Sequence, residues 1–159
     1  METAAVTARV TDSIESVYRQ EADRLWRSLY AYAADSEIAS DAVAEAFAQA
    51  IRRGPAIRDA RAWVWKAGFR IAAGELKRRS RSTDVIPDGV YLDPEVDTEL
   101  LAALAQLPDG QRAAVILHYY TDASVRDISA RTGMSQLSVR ANLSRGRKRL
   151  KLLLGDRHG

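Results

Sequence analysis

The sequence predicts an all-helical protein built of two small helical domains joined by an acidic connector. Three observations carry this. Apolar residues recur at helical rather than alternating spacing through most of the chain. Strand formers are sparse, Ala and Arg dominate, and Gly and Pro concentrate between the periodic segments. Charge is segregated: Lys66 to Arg81 carries six basic residues and one acid, and Ser82 to Glu99 carries six acids and no base.

Residues 1–11 are expected as an N-terminal tail. A first helix is expected over 12–34, with Ile14, Val17, Tyr18, Leu25, Trp26 and Leu29 as its apolar positions. A second, over 36–53, would bury Val43, Ala46, Phe47, Ala50 and Ile51. It would turn Asp41, Glu45, Ala48 and Arg52 to the opposite face, at i, i+4, i+7 and i+11. Gly54-Pro55 ends it. Asp59 can cap a third helix over 60–79, which carries Trp63, Trp65, Phe69 and Ile71 and runs into the basic stretch ending at Arg81. These segments make a first domain, 12–81.

Residues 82–94 hold prolines, a glycine and acids without periodicity and read as a linker. A second domain, 95–159, begins with a helix over 95–107 that places Leu100, Leu101, Leu104 and Leu107 inside. Pro108 to Gln111 breaks it. The next helix, 112–120, has Val115, Ile116 and Tyr119 as core candidates.

The last third carries the functional signal. An apolar helix from Ser124 stops at Gly133, and after one residue Ser135 can cap a second helix. This is the layout of a helix-turn-helix, whose second helix enters a DNA groove. From Gln136 to Lys151 there are six basic residues and no acid. Val139, Leu143 and Leu150 share one stripe, and Arg140, Ser144, Arg147 and Lys151 share another that would face out. A basic run alone is more often a solvated surface. The preceding helix, glycine turn and cap make nucleic-acid binding the better reading. Trp65 and Phe69 among cations likewise have two readings, core packing or stacking of unpaired bases.

Other classes are disfavoured. With no cysteine and only two histidines, neither a disulfide framework nor a zinc site is expected, and no cofactor is implied. No window is apolar enough to span a membrane, so no insertion is expected. Charged residues interrupt the N-terminus where a signal peptide would be apolar, which predicts a soluble cytoplasmic protein. No catalytic constellation appears, so an enzyme is not expected.

Several stretches, in order, resemble the group IV, or extracytoplasmic-function, bacterial sigma factors. They are Asp41-Ala42-Val43-Ala44-Glu45-Ala46-Phe47, Ala62-Trp63-Val64-Trp65, Leu107-Pro108-Asp109-Gly110-Gln111-Arg112, Asp127-Ile128, Ser138-Val139-Arg140 and Leu143-Ser144-Arg145-Gly146-Arg147. Residues of about 12–80 correspond to sigma region 2 and about 95–155 to region 4. The resemblance implies two helical domains on a flexible linker that bind core RNA polymerase and promoter DNA. Many members are held inactive by an anti-sigma factor, which implies a partner of that kind.

The polymerase face would be Asp41, Ala44, Glu45, Ala48 and Arg52. Recognition and melting of the −10 element would fall to Arg58, Arg61, Trp65, Lys66, Phe69 and Arg70. Recognition of the −35 element would fall to Gln136, Ser138, Arg140 and Ser144 at the bases, and to Arg145, Arg147 and Lys148 at phosphates. The chain departs from the family pattern at Ala44, Arg70, Leu137 and Asn142, where Gln, a polar amide, Gly and Arg are usual. A reading from a different class is a free-standing helix-turn-helix regulator with an N-terminal protein-interaction domain.

Overall fold

The structure, a computed structural model, describes residues 2–81 and 97–155, with side chains described over 13–80 and 97–155. The order is α1 (Glu2–Ala33), α2 (Ser36–Arg53), a 3-10 turn (Gly54–Ala56), α3 (Ala60–Arg81), α4 (Thr98–Ala105), α5 (Asp109–Thr121), α6 (Val125–Thr132) and α7 (Gln136–Leu154). The expected linker, 82–94, lies outside the described residues. The expected tail is corrected: α1 already runs from Glu2.

The caps follow from local chemistry. Asp35 accepts from the backbone N–H of Glu37 and Ile38 at 2.9 and 3.0 Å and starts α2. Asp59 accepts from Ala62 N at 3.1 Å and starts α3. Asp97 does the same for α4. Each carboxylate satisfies donors that the first turn of a helix leaves free and sits at the positive end of its dipole. Pro108, read as a breaker, is the N-cap residue of α5, whose first turn carries Asp109. Proline's fixed φ and missing N–H suit the position where a helix is entered.

α2 packs on both α1 and α3, and α1 also meets α3. Leu25, Leu29, Ile38, Val64 and Trp65 fill that space and are almost fully buried. In the C-terminal half α7 packs on α4, α5 and α6 around Leu117, Ile128 and Val139. Full burial of each such aliphatic side chain stabilises the fold by about 1.5–3 kcal/mol.

The two halves are not independent bodies. α6 lies on α3, α4 and α5 lie on α1, and the buried residues of both halves form one apolar cluster. Arg112, its side chain 12% exposed, is the polar pin between them. It donates to Tyr32 O across the interface at 3.1 Å and to Leu107 O and Ala105 O in its own half at 2.9 and 3.2 Å. Its guanidinium also lies 5.0 Å from the Tyr32 ring centroid. Burial, with Asp109 adding to it, pushes the Tyr32 phenol up to about 12, so it stays neutral at any physiological pH.

Four expected core residues are corrected. Tyr18, Ile51, Leu100 and Tyr119 are 51%, 57%, 38% and 60% exposed. Tyr18 still meets the edge of Phe47 at 4.9 Å. Leu100 and Tyr119 line a largely apolar groove of about 840 Å³ with Trp26, Tyr30, Leu104 and Leu150. The groove runs between α1 and the C-terminal half, and no single-helix pattern can register a surface made by two distant segments.

Candidate nucleic-acid interface

The turn between α6 and α7 is built by short-range bonds. Ser124 Oγ accepts from Asp127 N at 3.0 Å, and Asp127 accepts from Ser124 N at 3.3 Å, a reciprocal capping box. These bonds with Ser124 hold the Asp127 carboxyl below its usual range. Gly133 ends α6 at φ 82°, a left-handed conformation that side chains with a Cβ resist. Ser135 Oγ then accepts from Ser138 N at 3.1 Å and starts α7. Asn142 closes the corner from within. Its side-chain amide donates to Ser138 O at 3.0 Å, to Ser138 Oγ at 3.2 Å and to Met134 Sδ at 3.3 Å. Asn142 is therefore a brace of the turn.

On α7, Val139, Leu143 and Gly146 are buried, while Gln136, Arg140, Ser144, Arg145 and Lys148 are exposed. Ser138 is half-buried, its hydroxyl engaged by Asn142, so it has less freedom to meet a base than the exposed residues. Arg147 turns toward α5, with its guanidinium 5.5 Å from the Tyr119 ring centroid and 3.4 Å from His118 Nε2. Leu137 is 77% exposed in the first turn of α7, a position that pattern reading marked only as a departure.

The expected −10 residues divide. Arg58, Arg61, Lys66 and Arg70 are exposed, and Arg61, Lys66 and Arg70 are cations of α3. Arg70 donates to Gln49 Oε1 on α2 at 3.1 Å. Arg61 pairs with Glu21 at 3.1 Å and donates to Gln20 Oε1 at 2.5 Å. Trp65 and Phe69 are corrected: they are 0% and 6% exposed and present no open face to a base. Phe69 meets the Tyr32 edge at 5.3 Å, and the Arg131 guanidinium from α6 covers Trp65 at 4.8 Å from the ring centroid. The surface aromatic on α3 is Trp63, half-buried, with Arg53 5.9 Å from its ring centroid. A helix-period pattern places Trp63 and Trp65 on different faces but does not say which face a second domain covers.

The outer face of α2 shows Asp41, Ala44, Glu45 and Arg52 exposed and Ala48 half-exposed. Gln49 Nε2 and Arg52 Nη2 each donate to Glu45 Oε1 at 3.0 Å. Those bonds hold the Glu45 carboxyl below its usual range. A fixed carboxylate stands in the middle of this polar strip, which is exposed among the described residues.

Residues 97–150 match the family model described as sigma-70, region 4. Over those residues the chain is similar to region 4 of the sigma-70 family. The matched segment runs from α4 to the basic part of α7 and contains the α6–α7 helix-turn-helix. The whole chain is also similar to known proteins. It is 27% identical over 155 residues to the ECF RNA polymerase sigma factor SigE of Mycolicibacterium smegmatis, covering 87% of this chain and 60% of that one. The chain thus spans about three-fifths of that relative's length. In fold it resembles the sigma factor RpoE from Bartonella quintana, solved in complex with the anti-sigma factor NepR. The TM-score is 0.77 at 22% identity, over 91% of this chain and 99% of that one. It also resembles CnrH, solved in complex with the cytosolic domain of CnrY. There the TM-score is 0.73 at 18% identity, over 95% and 93% of the two chains. With both solved structures the likeness is one of fold, an N-terminal helical half followed by the segment that matches region 4. Among the described residues no helix is long and apolar enough to cross a membrane.

Proposed function

We propose that this chain is an extracytoplasmic-function sigma factor. It binds core RNA polymerase in the cytoplasm and directs it to promoters, without catalysing a reaction of its own. The observation that carries the reading is one chain holding a helix-turn-helix that matches region 4 and, ahead of it, a basic helix beside an exposed polar face on α2. A free-standing regulator with an N-terminal protein-interaction domain would use the helix-turn-helix and the α2 face, but has no use for the basic helix α3. Run-off transcription by core polymerase on a promoter library tests the proposal. If the chain neither copurifies with core polymerase nor supports initiation on any promoter, it is a regulator of another kind.

In this reading α7 lies in the major groove of the −35 element, with its N-terminal half at the bases. Arg140 is the principal reader, because guanidinium meets both acceptors of guanine at once. Arg140→Ala is expected to cost about 1–3 kcal/mol on the preferred site and to flatten preference at one base pair. Lys148→Ala is expected to weaken all sequences alike and lower the salt slope by about one. Binding to single-base variants of the −35 element at several salt concentrations checks both. An equal loss on every variant for Arg140→Ala would make it a phosphate contact.

Leu137 adds an apolar reader. An exposed leucine at the leading end of a groove-reading helix fits the 5-methyl of thymine, the one apolar group on a base edge in the major groove. Replacing thymines of the −35 element by deoxyuridine, one at a time, removes only that methyl. At one position this is expected to weaken the wild type several-fold and leave Leu137→Ala unaffected. Equal sensitivity of the two proteins at every position would remove Leu137 from the reading set.

The −10 element falls to the N-terminal half, with Arg58, Arg61, Lys66 and Arg70 at phosphates. Arg61→Ala with Arg70→Ala is expected to abolish permanganate reactivity of thymines near −10 in the holoenzyme. Undiminished reactivity would transfer melting to other residues. The groove beside Trp26 and Tyr119 supplies an apolar surface for an anti-sigma partner, in line with the complexes in which the two similar structures were solved.

A further inference from the structure

Asn142 holds the corner of the helix-turn-helix in a way that fixes what the Ser138 hydroxyl can do. Ser138 lies in the first turn of α7, and Asn142 follows one turn later on the same face. Ser138 O is a carbonyl and can only accept. Asn142 meets it at 3.0 Å, so the amide nitrogen of Asn142, not its oxygen, faces this turn. The same nitrogen stands 3.2 Å from Ser138 Oγ and 3.3 Å from Met134 Sδ. One of its hydrogens serves the carbonyl, and the hydroxyl and the thioether share the other. An amide nitrogen has no lone pair to offer, so Ser138 Oγ is the acceptor in this contact at any hydroxyl torsion. The hydroxyl hydrogen therefore turns away from Asn142, and it has no acceptor among the described residues.

The placement of Asn142 is itself built by the fold. A Cβ on Gly110, in the first turn of α5, would stand 3.3 Å from both Nδ2 and Oδ1 of Asn142. Glycine at that position leaves room for the half-buried amide between α5 and α7. Ser138 N is served separately by Ser135 Oγ at 3.1 Å, so the cap of α7 is made without Asn142. What Asn142 governs is the Ser138 side chain.

A free serine hydroxyl serves either kind of base group, accepting from an amino group or donating to a ring nitrogen or carbonyl. Ser138 has lost that freedom. Its need for a donor is met from within, and its unmet need is an acceptor. Accepting again, from an amino group of the DNA, would leave the hydroxyl hydrogen desolvated and unpaired, which costs more than the second bond returns.

We infer, resting on the proposed reading of the −35 element by α7, that Asn142 sets Ser138 as a hydrogen-bond donor to that duplex. The group Ser138 takes is a purine N7, guanine O6, thymine O4 or a phosphate oxygen, and not the amino group of cytosine or adenine. Asn142 is a positioning residue: it acts through Ser138 and not by a contact of its own with DNA.

The test uses holoenzyme, formed from the full chain and core polymerase, on the promoter that run-off selection recovers. Acceptors of the −35 element are altered one at a time. A 7-deazapurine removes N7, 6-thioguanine and 4-thiothymine put sulfur in place of the carbonyl oxygen, and a methylphosphonate removes a phosphate oxygen. At one position the loss of affinity is expected to be about two- to tenfold larger for wild type than for Ser138→Ala, the worth of one hydrogen bond. That position says whether the acceptor belongs to a base or to the backbone. Ser138→Thr keeps the hydroxyl and should match the wild type. Asn142→Asp offers an acceptor where the amide offered a donor, so the Ser138 hydrogen turns inward. This variant should lose the excess while keeping the helicity and thermal midpoint of the wild type. Its added charge weakens every duplex alike and cancels in the ratio.

Equal losses for wild type and Ser138→Ala at every position overturn the donor role. An excess that survives in Asn142→Asp overturns Asn142 as the residue that sets it. If Asn142→Asp does not fold, Asn142→Ala takes its place: the hydroxyl is then free to turn, and an undiminished excess overturns the inference in the same way. A wild-type holoenzyme that opens promoters without any preference among −35 sequences removes the −35 reading itself, and the role of Ser138 with it. That failure is distinct from the others because the wild type alone displays it.

Discussion

Reversing two charges on α2, Asp41→Lys with Glu45→Lys, is expected to weaken binding to core polymerase about 100-fold, because opposed like charges at an interface cost several kcal/mol. The fold should not notice. Both side chains are exposed, and the pair that Glu45 makes with Arg52 is a surface pair, 47% and 63% exposed. Such pairs contribute little to stability. The double variant should therefore keep its helicity and thermal midpoint while its affinity for core collapses. Fluorescence anisotropy of labelled protein titrated with core polymerase measures the second quantity and thermal denaturation the first. Wild-type affinity in the variant would move the polymerase contact elsewhere on the chain. The rest of the face can be dissected in the same assay, since Ala44 and Ala48 leave a shallow strip that a bulky substitution would fill.

Gly146→Leu is expected to destabilise the chain by about 3 kcal/mol, at the upper end of what overpacking a close contact costs. The reason is local. Gly146 faces α5, and a Cβ there would stand 2.7 Å from Val115 Cγ2 and 3.4 Å from Gln111 Cβ. Even the first carbon overlaps, so a leucine must push α7 away from α5. The change should lower the thermal midpoint by about 6–12 °C for a chain of this size. It should also tilt the recognition helix, so −35 binding falls while core binding through α2 remains. Gly74→Leu is the control. Nothing lies within 4 Å of a Cβ built there, and its effect on the midpoint should be small. Equal midpoints for Gly146→Leu and the wild type would show that α5 and α7 are not held at the distance seen.

Much of this was legible from residues alone. The bounds of α2, the caps at Asp59 and Ser135, the turn at Gly133 and the split of α2 into an apolar and a polar face are properties of a few neighbouring residues. Capping, left-handed φ and helical period act over one to four positions, so sequence reading reaches them. The exposed cations of α3 and α7 were visible for the same reason. Where reading failed, distance along the chain was the cause. Trp65 and Trp63 are two residues apart on one helix, and either could have been the surface aromatic. The choice is made by Arg131, which lies far along the chain and covers one of them. Tyr119 and Leu100 fit the apolar period of their helices but line an open groove, because α1 meets that face without filling it.

By itself, then, the sequence determined the helical class, the helix-turn-helix, the polar face of α2 and the placement of basic charge. All of these rest on local dihedral preference and on periodicity. Only the tertiary structure decided that the halves pack on one another, that Arg112 and Arg131 reach across between them, and that Glu21 is buried with one oxygen unpartnered among the described residues. Those facts depend on which surfaces of separately amphipathic helices meet. That is settled by complementarity between distant segments, and no window of neighbouring residues contains it.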